Sequence, residues 1–211
     1  MKEKFPFRLY LVISEESCRG RDFLQVVEQA ILGGVDIVQL REKKASDVEF
    51  TEKALRLQDV LIKSSIPLII NDNLRVARKV GAYGIHVGNN DLTPSFIRSV
   101  WKNCQSIGYS IEYLEQLQNK EAELSDCLAV SPVFKTLTKK DTVTEWGLEG
   151  VSQIRKLTDK PLIAIGNMNT DNVYDVVKAG ADCIAVASAI CLAKNPMKAA
   201  SEIRNQIEKA L

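Results

Sequence analysis

Histidine is nearly absent from this 211-residue chain: the one present, His86, excludes multi-histidine metal sites and mechanisms in which a histidine base works with a second histidine. Cysteine is present but unpatterned. Cys18, Cys104, Cys127, Cys183 and Cys191 are odd in number, show no C-x-x-C spacing and mostly lie in apolar stretches, so they read as reduced core residues of a reducing compartment. An excess of either charge is also missing, since 28 Lys and Arg against 27 Asp and Glu leave a formal +1, and no bulk attraction to nucleic acid or to a membrane surface follows. No run approaches the ~18 apolar residues of a membrane span. Met1 to Pro6 leads only into the short apolar run Leu9 to Ile13, without the small-residue cleavage pattern of an export signal. A soluble, cytoplasmic protein with neither nucleic-acid nor membrane partners is expected.

What the sequence does have is repetition. Short, β-branched apolar runs alternate with longer stretches of helical spacing, and eight strands are predicted at Arg8–Ile13, Asp36–Leu40, Pro67–Asn71, Gly84–Val87, Gln105–Tyr109, Asp126–Ser131, Pro161–Ile165 and Asp182–Ala187. Most are continuously hydrophobic, as parallel strands covered on both faces must be. Ser46-Asp47-Val48-Glu49 has the form of a capping box, after which Phe50, Ala54, Leu57 and Leu61 make one buried stripe. Thr93-Pro94 and Asn195-Pro196 each set a capping side chain before a proline at the first helical position. Gly33-Gly34, Gly81 and Gly180 mark the returns from helix to strand, where a left-handed cap favours a residue without Cβ. Eight βα units fit either a closed barrel or a doubly wound sheet. Nearly every strand ends in a polar or glycine-containing cluster, which favours a single-domain (β/α)8 TIM barrel spanning 1–211 with one functional rim. The long Lys- and Thr-rich stretch 135–149 is expected to be a lid at that rim.

Chemistry is predicted at the strand ends. Period-two alternation sends Gln39, Arg41 and Lys43 to one side, where a guanidinium fork and an ammonium suit a diphosphate; a solvated basic rim is the equal alternative. Asp72 after strand three and Asp91 after strand four are hard oxygen donors on neighbouring rims, suited to Mg²⁺ completed by phosphate oxygens and water, although each alone reads as a helix cap. Ser110 ends strand five without the adjacent base of a hydrolytic nucleophile. Thr136, Thr138 and Lys139 offer hydroxyls and a cation to a phosphate, and Gly166-Asn167 and Ala187-Ser188 end strands seven and eight, where barrels often bind phosphate through backbone amides. His86, between Ile85 and Val87, reads as a structural histidine of strand four.

Together these segments resemble the thiamine-phosphate synthase family over most of the chain. Gln39-Leu40-Arg41-Glu42-Lys43 is similar to that family's pyrimidine-diphosphate motif, Asn71 and Asp72 fall at its pyrimidine contact and Mg²⁺ ligand, and Asp91 at its second metal position. Ser110 matches its pyrimidine-site serine, Thr136-Leu137-Thr138 its thiazole-phosphate loop, and Lys139 the lysine that reaches diphosphate. The resemblance implies that 4-amino-2-methyl-5-(diphosphooxymethyl)pyrimidine is condensed with 4-methyl-5-(2-phosphooxyethyl)thiazole, using Mg²⁺, with Arg41, Lys43, Ser110 and Lys139 as the catalytic set. Assembly into a homo-oligomer is left open. The chain departs from the family pattern at Asn167 (for glycine), Ser131 (for glycine), Glu112 (for histidine) and Ala187 (for valine), mostly on the thiazole side. A thiazole tautomerase and a non-catalytic thiamine-ligand-binding barrel are the alternatives.

Overall fold

Segments that are apolar at every position can be buried only between two layers, and here the layers are a barrel interior and a ring of helices. The computed structural model describes residues 5–136 and 144–211. Its strands are β1 Leu9–Ile13, β2 Ile37–Leu40, β3 Leu68–Asn71, β4 Gly84–Val87, β5 Ser106–Ile111, β6 Cys127–Val130, β7 Leu162–Ile165 and β8 Cys183–Val186. All pair in parallel with their neighbours in chain order, and β8 closes on β1. Alternation divides their side chains: Tyr10, Ile37, Ile69, Cys127, Ile163 and Cys183 pack inside the barrel, whereas Leu11, Val38, Ile70, Ile85, Ile107 and Leu128 face the helices.

The helices begin where capping chemistry directs. Ser46 and Glu49 form the reciprocal capping box of α2 (Asp47–Ile62), whose Phe50, Ala54, Leu57 and Leu61 are buried. Thr93 caps α4 (Pro94–Val100), and Asn195 caps α9 (Pro196–Ala210), which docks through Ala200, Ile203 and Ile207. The remaining helices are α1 Phe23–Leu32, α3 Leu74–Lys79, α5 Lys120–Leu124, α6 Gly147–Leu157, α7 Val173–Lys178 and the single turn α8 Ser188–Cys191. Because α6 starts at Gly147, the expected 135–149 loop is shorter at its C-terminal end: Gly147, Leu148 and Glu149 are helical, and residues 137–143 lie outside the described residues. All five cysteines are buried and unpaired. Among the described residues no helix is long and apolar enough to cross a membrane.

One device recurs three times at the end of the barrel opposite the site. Asp36, Asp126 and Asp182 each immediately precede an even-numbered strand. Each accepts a hydrogen bond from a backbone amide of the preceding odd strand, at Leu9 (3.1 Å), Ile107 (2.7 Å) and Leu162 (2.8 Å). Each also pairs with an arginine of an outer helix, respectively Arg204, Arg98 and Arg155. The carboxylate thereby satisfies strand amides that no neighbour reaches and ties strand to helix. Asp126→Ala would leave the Ile107 amide without its carboxylate acceptor and take the ion-pair partner from Arg98, which keeps the Leu124 and Cys104 carbonyls, and urea denaturation should show a loss of about 1–3 kcal/mol with little change in the activity of the folded protein.

Candidate active site

The cavity at the C-terminal mouth of the barrel, about 210 Å³, has two unlike walls. Strands β2 to β5 and their loops contribute the polar wall: Gln39, Arg41, Lys43, Asn71, Asp72, His86, Asp91 and Ser110. Strands β6 to β8 contribute small groups, Ala129, Ser131, Gly166, Ala185, Ala187 and Ser188, that leave room. Gln39, Arg41 and Lys43 do share a side, so the basic cluster faces a cavity. Gln39, 4% exposed, is held by its amide donating to the Tyr10 hydroxyl at 2.9 Å. Burial raises the Tyr10 pKa well above that of an ordinary phenol, so it stays a neutral partner.

The two aspartates are brought together. Asp72 adopts a left-handed backbone, φ 59°, with its amide donating to His86 O at 2.8 Å across the β3–β4 pair. That kink turns the carboxyl into the mouth instead of along α3. The N-cap of α3 is Asn73, whose Oδ1 accepts from the Val76 amide, and the cap of α4 is Thr93, so neither Asp72 nor Asp91 is a helix cap. Asp91 is fixed by the Gly88 amide donating to Oδ2 at 2.8 Å. Burial raises the Asp72 pKa, the Lys43 ammonium opposes that shift, and the adjoining Asp91 carboxyl adds to it. Two carboxyls lining one partly dry mouth are a donor set that a divalent cation stabilises. Among the described residues no group of three or more His, Cys, Asp or Glu suited to a metal occurs; water and substrate oxygens would complete the shell, as is usual for Mg²⁺.

Two residues of the basic segment do not reach the cavity. Leu40 is fully buried and, being odd in the alternation with Gln39 and Arg41, packs outward in the strand–helix layer. Glu42 also turns away: its carboxylate accepts from the Glu15 amide at 2.8 Å and from Lys53 Nζ at 3.1 Å. Glu42 thus anchors the backbone from which Arg41 and Lys43 project. Lys53→Met should release this anchor and weaken the binding of inorganic diphosphate at Arg41 and Lys43 by about tenfold; equilibrium dialysis of the wild type and the variant checks it.

On the small-residue wall, Gly166 has φ 121°, and an added Cβ would lie 2.6 Å from Pro132 Cβ and 2.9 Å from Val133 N. Asn167 follows at φ 53°, the left-handed region that asparagine tolerates better than most residues, so the loop keeps its tight turn without a glycine there. Its carbonyl accepts from the Asn172 side chain at 2.9 Å. Ala187 and Ser188, at the start of α8, also line the mouth, as does Thr136. Leu137, Thr138 and Lys139 lie outside the described residues.

Some lining residues went unassigned. His86 alternates inward between the outward Ile85 and Val87 and shares a 3.0 Å hydrogen bond between Nε2 and Ser110 Oγ. Gly108, its partner on β5, makes room, since a Cβ there would lie 2.5 Å from His86 Nδ1. The alternation rule already contains that signal. Asn89 is held by the Tyr109 hydroxyl (2.6 Å) and by Gln116, and donates to Glu112 at 2.7 Å. No local pattern announces such a network.

A parallel eight-stranded barrel with paired carboxylates and cations facing a wall of small residues defines a class, that of barrel enzymes acting on phosphorylated small molecules. The family model described as thiamine monophosphate synthase matches residues 9–190. The chain belongs to that family. Among curated relatives, the thiamine-phosphate synthase of Albidiferax ferrireducens is 45% identical over 202 residues, covering 95% of this chain and 92% of that protein. Its counterpart from Leptospira biflexa is 43% identical, covering 94% of this chain and 96% of that protein. The solved structure of thiamine phosphate pyrophosphorylase from Pyrococcus furiosus superposes with a TM-score of 0.87 at 31% identity, covering 97% of each chain. 3-Hexulose-6-phosphate synthase, at 17% identity and a TM-score of 0.71, shares the fold alone.

Proposed function

We propose that this chain is a cytoplasmic thiamine-phosphate synthase that joins the pyrimidine diphosphate to the thiazole phosphate, with Mg²⁺ held by Asp72 and Asp91. The C–O bond between the pyrimidine methylene and the diphosphate breaks with its electrons leaving on oxygen, and the thiazole nitrogen lone pair forms the new C–N bond. That nitrogen has no proton to lose, so alignment and charge stabilisation matter more than a general base. Arg41 and Lys43 neutralise the departing oxygens, Gln39 and Asn71 orient the pyrimidine, and Ser110, held by His86, fixes its far edge. The small residues of β6 to β8 admit the thiazole, with the Gly166–Asn167 turn and Ser188 toward its phosphate. Mg²⁺, when bound, supplies positive charge opposite the diphosphate.

The observation that carries this reading is that the Asp72 and Asp91 carboxyls line the same cavity as Arg41 and Lys43. Mass analysis of products with both substrates, with each omitted in turn, and with chelator present tests it. Thiamine phosphate should form only with both substrates and Mg²⁺. Isomerised thiazole formed without metal would indicate a tautomerase instead, and binding without any product a non-catalytic barrel.

A further inference from the structure

Lys43 does not merely line the cavity; its ammonium rests on Oδ2 of Asp72, the carboxylate that lines that cavity together with Asp91. The Lys43 side chain is half exposed and that of Asp72 is 22% exposed, so the ammonium has freedom to swing while the carboxylate is fixed by its left-handed backbone. Arg41 lines the same cavity and forms no ion pair with Asp72. A cation and an ammonium cannot both sit on one carboxylate oxygen without strong mutual repulsion.

We infer that Lys43 is a placeholder for the divalent cation. It occupies Asp72 in the substrate-free protein and transfers to the diphosphate as the metal arrives, so that metal and diphosphate bind together and each binds poorly alone. This rests on the assignment of Asp72 and Asp91 as the cation site. The transfer exchanges ionic contacts only; no covalent bond changes. By linkage, whatever draws Lys43 away from Asp72 strengthens metal binding, and metal strengthens diphosphate binding by the same factor.

The test uses Mn²⁺ in place of Mg²⁺, with free Mn²⁺ read by its EPR signal, and radiolabelled inorganic diphosphate in equilibrium dialysis at saturating Mn²⁺. Lys43→Met should bind Mn²⁺ alone about three- to fivefold more tightly than the wild type, the scale of a partly exposed ion pair. The same variant should bind the Mn²⁺–diphosphate complex about tenfold or more weakly, because a charge-assisted contact to diphosphate is lost. Arg41→Met should weaken the complex without the gain for Mn²⁺ alone. Unchanged or weaker Mn²⁺ binding by Lys43→Met, or an equal gain in Arg41→Met, would overturn the placeholder. Failure of the underlying site assignment looks different: Asp72→Asn would then bind Mn²⁺ as tightly as the wild type.

Discussion

Replacement of Asp72 by alanine is expected to lower the rate of thiamine phosphate formation by about a hundred- to a thousand-fold, the effect of deleting one preorganised electrostatic group, or about 2.7–4 kcal/mol of barrier. The change removes a carboxyl from the cation pair, and it also frees Lys43 from its only ion-pair partner among the described residues. Folding should be little affected. The Asp72 carboxyl is an ion-pair partner at the mouth and caps no helix, and alanine at φ 59° costs on the order of 1–2 kcal/mol. Single-turnover kinetics with enzyme in excess over the pyrimidine diphosphate, beside a urea unfolding curve, separates the catalytic loss from that small structural one. A turnover within threefold of the wild type at every Mg²⁺ concentration would remove Asp72 from the mechanism.

Gly166→Ala should be the most damaging change on the opposite wall. The backbone there lies at φ 121°, which L side chains rarely adopt, and the new methyl would press on Pro132 and the Val133 amide. Strain of about 1–3 kcal/mol adds to an overpacking cost of about 1–3 kcal/mol. Relief requires moving the β7 turn away from Pro132, and that displaces Asn167 within the mouth. A urea unfolding curve should therefore lose several kcal/mol, and whatever enzyme still folds should show a raised KM for the thiazole phosphate with the KM for the pyrimidine diphosphate nearly unchanged. Equal rises for both substrates would assign the turn a general structural role instead.

The barrel could be read from the sequence because its strands are mostly apolar and its helices carry their own start signals at Ser46, Thr93 and Asn195. Strand starts were the weak point: every predicted start except Gly84 sits one residue outside its strand, at Arg8, Asp36, Pro67, Gln105, Asp126, Pro161 and Asp182. The aspartates among them serve the amide–arginine device at the lower rim, whose partners lie 19 to 27 residues away at the amides and as far as 168 at Arg204. Only the closed fold reveals such partners. In the site, alternation placed Gln39, Arg41 and Lys43 in the cavity, and the same rule, applied to Ile85-His86-Val87, would have placed His86 there as well. Its solitude and apolar neighbours argued for the core. Leu40 and Glu42 travelled with their motif, although alternation turns the first outward and Lys53 draws the second aside. For Asp91 the capping signal at Thr93-Pro94 already pointed away from a cap, whereas for Asp72 the choice between cap and ligand depended on Asn73 doing the capping.

The most direct measurement is the rate of diphosphate release against Mg²⁺ concentration, with both substrates saturating, for the wild type and for Asp91→Asn. Release by the wild type should vanish in chelator and return with added Mg²⁺, and the Asp91→Asn curve should require at least about tenfold more Mg²⁺ to reach half its maximum. Undiminished release by the wild type in chelator, or coincident curves for the two proteins, would contradict a cation shared by these carboxylates.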